Sequence, residues 1–222
     1  MGNDADASGR GRGVRLAEAL ATRLCHDLSG PLGALGAALE EVGAEAEALS
    51  LAQEASAVLR QRLALLRAAW GAAPPGLTGS ALVELAQGLS NAHRLRLELE
   101  PRLRAGTFAP ALARPAVNAV LLAGESLPGG GTIGLGGDPA RELTVSIAGP
   151  RAAWPEGLGR LLADPDAAWD ALDSIGEALP GRRLQAALTA LLAQEAGTEA
   201  RLLLAPRTET APPLLLRVTS AA

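Results

Sequence analysis

The chain has 222 residues, 48% hydrophobic and only 2% aromatic, which is enough for one large domain or two small ones around an aliphatic core. Its net charge is −4 and every cation is arginine, so it offers neither a basic footprint for nucleic acid nor a polybasic patch for a membrane. A single cysteine, Cys25, excludes an intrachain disulfide and fits a reducing compartment.

Residues 1–13, MGNDADASGRGRG, are polar and glycine-rich; they read as a disordered tail and carry no apolar stretch of the kind a secretory signal needs. From Val14 the apolar residues Leu16, Leu20, Leu24, Leu28, Leu32, Leu35, Leu39 and Val42 recur every three or four positions, which is a sustained helical stripe. Gly43 interrupts it, and a second stripe follows through Leu51, Ala55, Val58, Leu59, Leu63, Leu66 and Trp70. Two long helices with a short break imply an antiparallel hairpin over residues 14–72. Stripes this wide need more cover than the hairpin supplies. Either a second copy forms a four-helix bundle with it, or the rest of the chain packs over it.

GAAPPGLTGS, from Gly71, is a linker of turn residues, and Thr78 or Ser80 can cap a helix starting near Ala81. Residues 80–222 then change pattern. RLRLELE (94–100) alternates as a strand, Pro110 to Ser126 reads as a helix, and GTIGLGG with ELTVSIAG as a strand pair. DAAWDALDSIGEAL and RRLQAALTALLAQEA read as helices, while ARLLLAP and PLLLRVTS close the chain as strands. The fold class is therefore α+β, with helices packed on one face of a largely antiparallel sheet. Apolar runs such as NAVLLAG are too short to span a bilayer, and a cytoplasmic protein is expected.

The chemistry concentrates at LATRLCHDLSGPLGAL. At about 100° per residue, His26 falls opposite the apolar stripe and faces water. Thr22 and Arg23 precede it on that face, and Gly30 and Gly33 follow. Interior glycines cost about 0.8–1.0 kcal/mol each relative to alanine, and Pro31 removes the amide that would bond the Asp27 carbonyl. Such local rule-breaking marks functional or strained sites. The glycines clear room for another protein to approach His26, a neutral imidazole being a competent nucleophile toward phosphorus. Asp27 is placed to hold the proton on its other ring nitrogen. A bystander histidine, with one helix ending at Leu28 and another starting at Pro31, is the structural alternative. Cys25 reads as a small packing residue, His93 as structural, GGGTIGLGG as a strand turn rather than a phosphate loop, and Trp154 and Trp169 as packing residues.

HDLSGPL resembles the phosphoacceptor box of sensor histidine kinases, and LATRLCHDLSGPLGALGAALEEV is similar to the ChpT-type histidine phosphotransferases of alphaproteobacterial phosphorelays. Members usually continue with an asparagine pair, where this chain has Gly36 and Ala37. The resemblance extends into the second half as a degenerate histidine-kinase-type ATPase α/β sandwich. NAVLLAGESLPGGGTI keeps Asn118, Pro128, Gly130, Gly131 and Ile133 of that domain's first box, but has Leu122 for the metal-holding asparagine and Glu125 for the lysine. IAGPR keeps Gly149, yet Ile147 replaces the adenine-reading aspartate and Arg151 a glycine, and the glycine-rich lid is reduced to Gly181. Leucine cannot coordinate Mg²⁺ and isoleucine cannot accept a hydrogen bond from adenine.

The resemblance thus implies a homodimeric phosphotransferase with a phosphohistidine intermediate, not an ATP-dependent kinase. His26 would accept a phosphoryl group from the receiver domain of a hybrid histidine kinase and pass it to a response regulator, with Asp27 assisting and Thr22, Arg23, Gly30 and Gly33 docking the partner. It implies no cofactor or metal of its own, Mg²⁺ being held by the partner receiver. Kinase phosphatases place Thr or Asn where this chain has Gly30, which points to transfer without strong hydrolysis. The rival reading is a non-catalytic dimeric adaptor, or pseudo-kinase scaffold, that docks receivers and transfers nothing.

Overall fold

The computed structural model describes residues 3–41, 46–72, 74–90, 92–174, 181–204 and 211–219. Two long helices open it, α1 (Asn3–Glu41) and α2 (Ala46–Trp70), packed side by side as the two stripes require. Val42 and Gly43, expected at the break, lie outside the described residues. Helix α1 runs without interruption through Pro31, so the two-helix alternative does not hold. The Ser29 hydroxyl donates to the Cys25 carbonyl at 2.6 Å, a back-bond that, like the proline, favours bending a helix rather than ending it.

The tail expectation is corrected: residues 3–13 belong to α1. The reason lies far along the chain. In α7 (Pro165–Asp173), Trp169 lies 5.6 Å beneath the Arg12 guanidinium, while Asp166 and Asp173 pair with Arg12 and Arg15 at 3.8 and 3.1 Å. Contacts of this kind favour helix in a segment whose own glycines do not.

Beyond the linker, Thr78 is the cap of α3 (Gly79–Ala86), its hydroxyl accepting from the Ala81 amide at 3.1 Å. Strand β1 (Leu95–Leu99) leads through α4 (Pro101–Ala105) and α5 (Pro110–Glu125) to β2 (Gly131–Asp138) and β3 (Glu142–Ala148). Then come α6 (Leu158–Ala163), α7, α8 (Gly181–Glu195), β4 (Thr198–Leu202) and β5 (Leu214–Val218). The sheet order is β1-β2-β3-β5-β4; β1 and β2 are parallel, joined by the α4–α5 crossover, and the remaining pairs are antiparallel. The strand register aligns Leu97 with Ile133, Ile133 with Ile147, and Val145 with Leu214, so one sheet face is apolar and covered by helices. Helix α6 is an element the sequence pattern does not announce. Part of the helix expected over DAAWDALDSIGEAL falls at residues 175–180, outside the described residues. Trp154 packs as expected and donates to the Pro212 carbonyl at 2.6 Å.

The lobe does not hang from the hairpin; the two share a core. Leu65, Leu66 and Ala69 of α2 belong to the same buried cluster as Leu121, Ile133 and Leu214. Polar contacts fix the seam. Asn118 on α5 donates to the Ala69 carbonyl at 2.6 Å and accepts from Gln185 on α8 at 2.9 Å, while the Trp70 indole donates to Gln185 at 3.4 Å. All of Asn118, Gln185 and Thr189 are fully buried, and each is satisfied by this network. The lobe covers only the base of the hairpin. Leu32 and Leu39 on α1 remain 50% and 56% exposed, and Leu51 and Val58 on α2, expected in the buried stripe, 48% and 53%.

Candidate functional site

His26 projects from the middle of α1 with its side chain 88% exposed, where the helical wheel places it. Its Nδ1 stands 3.4 Å from Asp27 Oδ1. Adjacent residues on a helix do not ordinarily meet, and this contact is made because the carboxylate is held from its other side. Arg62 of α2 donates to Asp27 Oδ2 at 2.6 Å, and Arg23, one turn earlier on α1, donates to the same oxygen at 3.2 Å. Arg62 is itself tied to the Gly88 carbonyl at 3.2 Å. Burial alone would raise the Asp27 carboxyl, but Arg62 and Arg23 together outweigh it and hold the group below its usual value. The anion beside the imidazole is therefore fixed in charge and in place, with Nε2 left to solvent.

Arg23 is the main correction at the site. Sequence places it beside His26 to meet a partner; in the structure it is 8% exposed. Its guanidinium bonds Asp27, the Glu125 carboxylate at the end of α5 and the Gly181 carbonyl at the start of α8. Helix geometry did put Arg23 near the histidine. The lobe then closes over it, and a Cβ on Gly181 would stand 2.7 Å from the guanidinium. Trp70 adds an aromatic face 5.9 Å away. Thr22, by contrast, is exposed, as are Gly30 and Gly33. A Cβ added at Gly30, Gly33 or Gly36 would meet nothing within 4 Å, so this chain's own packing does not require glycine there. Cys25 is exposed rather than packed, which corrects that expectation. His93 is also exposed, its Nε2 accepting from the Arg94 Nε at 3.1 Å.

The positions that resemble a nucleotide site hold no nucleotide chemistry. Leu122 is fully buried in the core and Ile147 nearly so. Glu125, where the resemblance expects lysine, faces Arg23; burial raises its carboxyl despite that guanidinium, and its Oε2 has no hydrogen-bond partner among the described residues. These residues do not fit ATP or its metal. Only the frame persists. Gly130 still makes the turn into β2 at φ +79°, with the Arg94 carbonyl 2.6 Å from where a Cβ would be. Sequence reasoning saw Glu125 as a lost lysine and missed its new partner. It also missed Arg62, which lies within an ordinary amphipathic helix and gives no local signal.

Between the hairpin and the lobe, beside His26, lies a cleft of about 460 Å³. Thr22, His26 and Asp27 form its hairpin wall, and Ser90, Pro128 and Arg182 face them from the lobe. Arg23, Arg62 and Glu125 close its floor. Among the described residues no helix is long and apolar enough to cross a membrane.

The family model for the histidine phosphotransferase C-terminal domain matches residues 80–204, from the start of α3 to the end of β4. A solved structure described as the 1.7 Angstrom structure of a bacterial phosphotransferase aligns with a TM-score of 0.64 at 20% identity, over 91% of this chain and 95% of that one. At that identity the likeness is one of fold. No curated protein matches the chain.

Proposed function

Since the chain belongs to the histidine phosphotransferase family, we propose that His26 carries a phosphoryl group from a receiver-domain aspartate to a second receiver, that of a response regulator. One observation carries this reading: an imidazole 88% exposed, beside a carboxylate anchored by two buried arginines. With Asp27 accepting from Nδ1–H, the lone pair lies on Nε2, the exposed nitrogen. Nε2 attacks phosphorus in line, the N–P bond forms as the acyl P–O bond breaks, and the receiver's aspartate leaves as carboxylate. The ring keeps its Nδ1 proton, and Asp27 offsets the positive charge it acquires. Transfer onward reverses these steps at the second receiver. Such reactions need mainly positioning and charge neutralisation, and Mg²⁺ held by the receiver supplies part of the latter. Gly30 has no side chain to orient a hydrolytic water, so phosphohistidine is expected to persist until a receiver takes it.

The test is to mix the protein with a radiolabelled phospho-receiver. Label that appears on this chain and is lost in acid supports transfer, whereas binding of the receiver without label supports the adaptor reading. Labelling from ATP with no receiver present would restore the kinase reading that Leu122, Glu125 and Ile147 oppose.

The bare face beside His26 makes a second prediction. Gly33→Leu introduces a side chain into open space, so stability is expected to hold or rise by up to about 1 kcal/mol from helix propensity. Transfer from the phospho-receiver is expected to fall at least about tenfold through a raised KM, since the docking surface is then occupied. An unchanged KM would show that partners do not approach over this face.

Homodimerisation rests on the apolar surface the lobe leaves uncovered. Leu32 and Leu39 are one heptad apart on α1, and Leu51 and Val58 one heptad apart on α2, so each pair shares a helix face. Cys25 continues the α1 row by one more heptad, which makes its thiol a reporter of the seam. Light scattering is expected to give twice the chain mass. Leu32→Asp with Val58→Asp should halve that mass and speed alkylation of Cys25, while a wild-type protein already monomeric at micromolar concentration would remove the bundle.

A further inference from the structure

Among the described residues that line the cleft beside His26, five besides the histidine have ionisable side chains, and four of these pair with one another. Arg23 bonds Asp27 and Glu125, and Arg62 bonds Asp27. The fifth is Arg182, in the first turn of α8, which makes no ion pair or hydrogen bond among the described residues. It is half-buried, belongs to the lobe rather than the hairpin, and lines the same cleft as Thr22 and His26. The first turn of α8, which carries it, is clamped to the hairpin. Arg23 bonds the Gly181 carbonyl, and Gln185, one turn further along α8, bonds Asn118.

We infer that Arg182 is the positioning residue for the transferring phosphoryl group. This rests on the phosphotransfer reading above. A phosphoryl group carries nearly two negative charges and three strong acceptor oxygens, and in flight that charge spreads over its equatorial oxygens. An arginine fork is the side chain suited to such a group, and a cation with no competing carboxylate is free to meet it. The charge bookkeeping agrees. Among the described residues that line the cleft, Asp27 and Glu125 are the only carboxylates, and both are engaged by Arg23 or Arg62. The carboxylate that leaves and the nitrogen that attacks belong to the receiver and His26; Arg182 gains and loses no proton. It aligns the phosphoryl oxygens.

The inference is tested with Arg182→Gln in the full-length protein, using two phosphoryl donors: a phospho-receiver and the small molecule phosphoramidate. For both, the rate constant for labelling His26 is expected to fall about 10²-fold, the usual loss when one preorganised donor is removed from a developing anion. The KM for the phospho-receiver should stay within about threefold, and Arg182→Lys should recover part of the rate because it keeps the charge without the fork. The neighbouring Arg183, exposed and outside the cleft, is the control, and Arg183→Gln should match the wild type. A raised receiver KM with an unchanged phosphoramidate rate would make Arg182 a docking residue and overturn the inference; so would wild-type rates with both donors. If wild-type protein takes label from phosphoramidate but none from any receiver, the phosphorelay reading fails, while the Arg182 comparison with phosphoramidate still stands or falls by itself.

Discussion

His26→Ala is expected to take up no label from a phospho-receiver above background, with its Tm within about 2 °C of the wild type. The two halves of this expectation follow from the same fact. A side chain 88% exposed contributes almost no packing, and surface substitutions of that kind shift stability by about 0.5 kcal/mol or less, worth about 1–2 °C in a chain of this size. Its chemistry is not replaceable. Cys25 is an exposed thiol next to it in the sequence, but it points about 100° away around the helix. Asp27→Asn makes the complementary point. Arg62 and Arg23 then hold an amide rather than an anion, and the imidazole loses the charge that fixes its tautomer. Slowed transfer with an intact fold is expected, measured as the single-turnover rate of label uptake. Acid-labile label on His26→Ala at the wild-type level would move the acceptor elsewhere and end the proposed function.

The hairpin and its histidine were legible because both are local signals. A stripe repeating every three or four residues specifies a helix, and the angle between His26 and that stripe specifies exposure, with no reference to the rest of the chain. The stretches that form β1 to β5 were legible from local pattern too, β1 through its alternation. What was not legible depended on residues distant in sequence. Arg23 shares its helical neighbourhood with His26, and only the arrival of Glu125 and Gly181 distinguishes a buried latch from an exposed docking residue. Residues 3–13 look too polar and glycine-rich to be ordered, and Trp169, Asp166 and Asp173 explain why Arg12 and Arg15 nevertheless lie on a helix. Leu51 and Val58 followed the helical period correctly but were assigned to a face the lobe does not reach. One signal lies in the sequence: Gln185 and Thr189 stand one turn apart in the otherwise apolar stretch from Leu184 to Ala193, a pattern that asks for a buried polar partner, and Asn118 is that partner.

Two positions at which the chain departs from the resembled nucleotide site meet at Arg23. Where the resemblance expects a phosphate-binding lysine the chain has Glu125, and where it expects a mobile glycine-rich lid it has Gly181; both now hold Arg23. Through these contacts Arg23 ties the start of α8 and the end of α5 to the hairpin beside the histidine. Arg23 is thus structural in a specific sense: it decides where the far wall of the site stands.

Arg23→Ala is accordingly expected to lower stability by about 3 kcal/mol, near the bottom of the range for breaking a buried pair, and to lower Tm by roughly 6–12 °C in thermal melts. The low end applies because burial already lifts the Glu125 carboxyl, so without its guanidinium the group takes up a proton instead of remaining a buried anion. The pH dependence carries a sign. Asp27 has its folded-state carboxyl below the usual value, so it contributes stability above the ordinary carboxylate range that is lost as pH falls through its folded value. Removing Arg23 shrinks that depression, and Glu125 is cheaper to bury once protonated, so the gap between variant and wild type should narrow as pH drops from about 7 to about 4. Arg23→Met combined with Glu125→Leu is expected to recover most of the loss, because apolar groups can replace a buried pair and Arg62 still holds Asp27. A double variant as unstable as Arg23→Ala would mean that the Glu125 contact is not what Arg23 contributes. A single variant that melts with the wild type would show that the lobe is seated by the Asn118–Gln185 network alone.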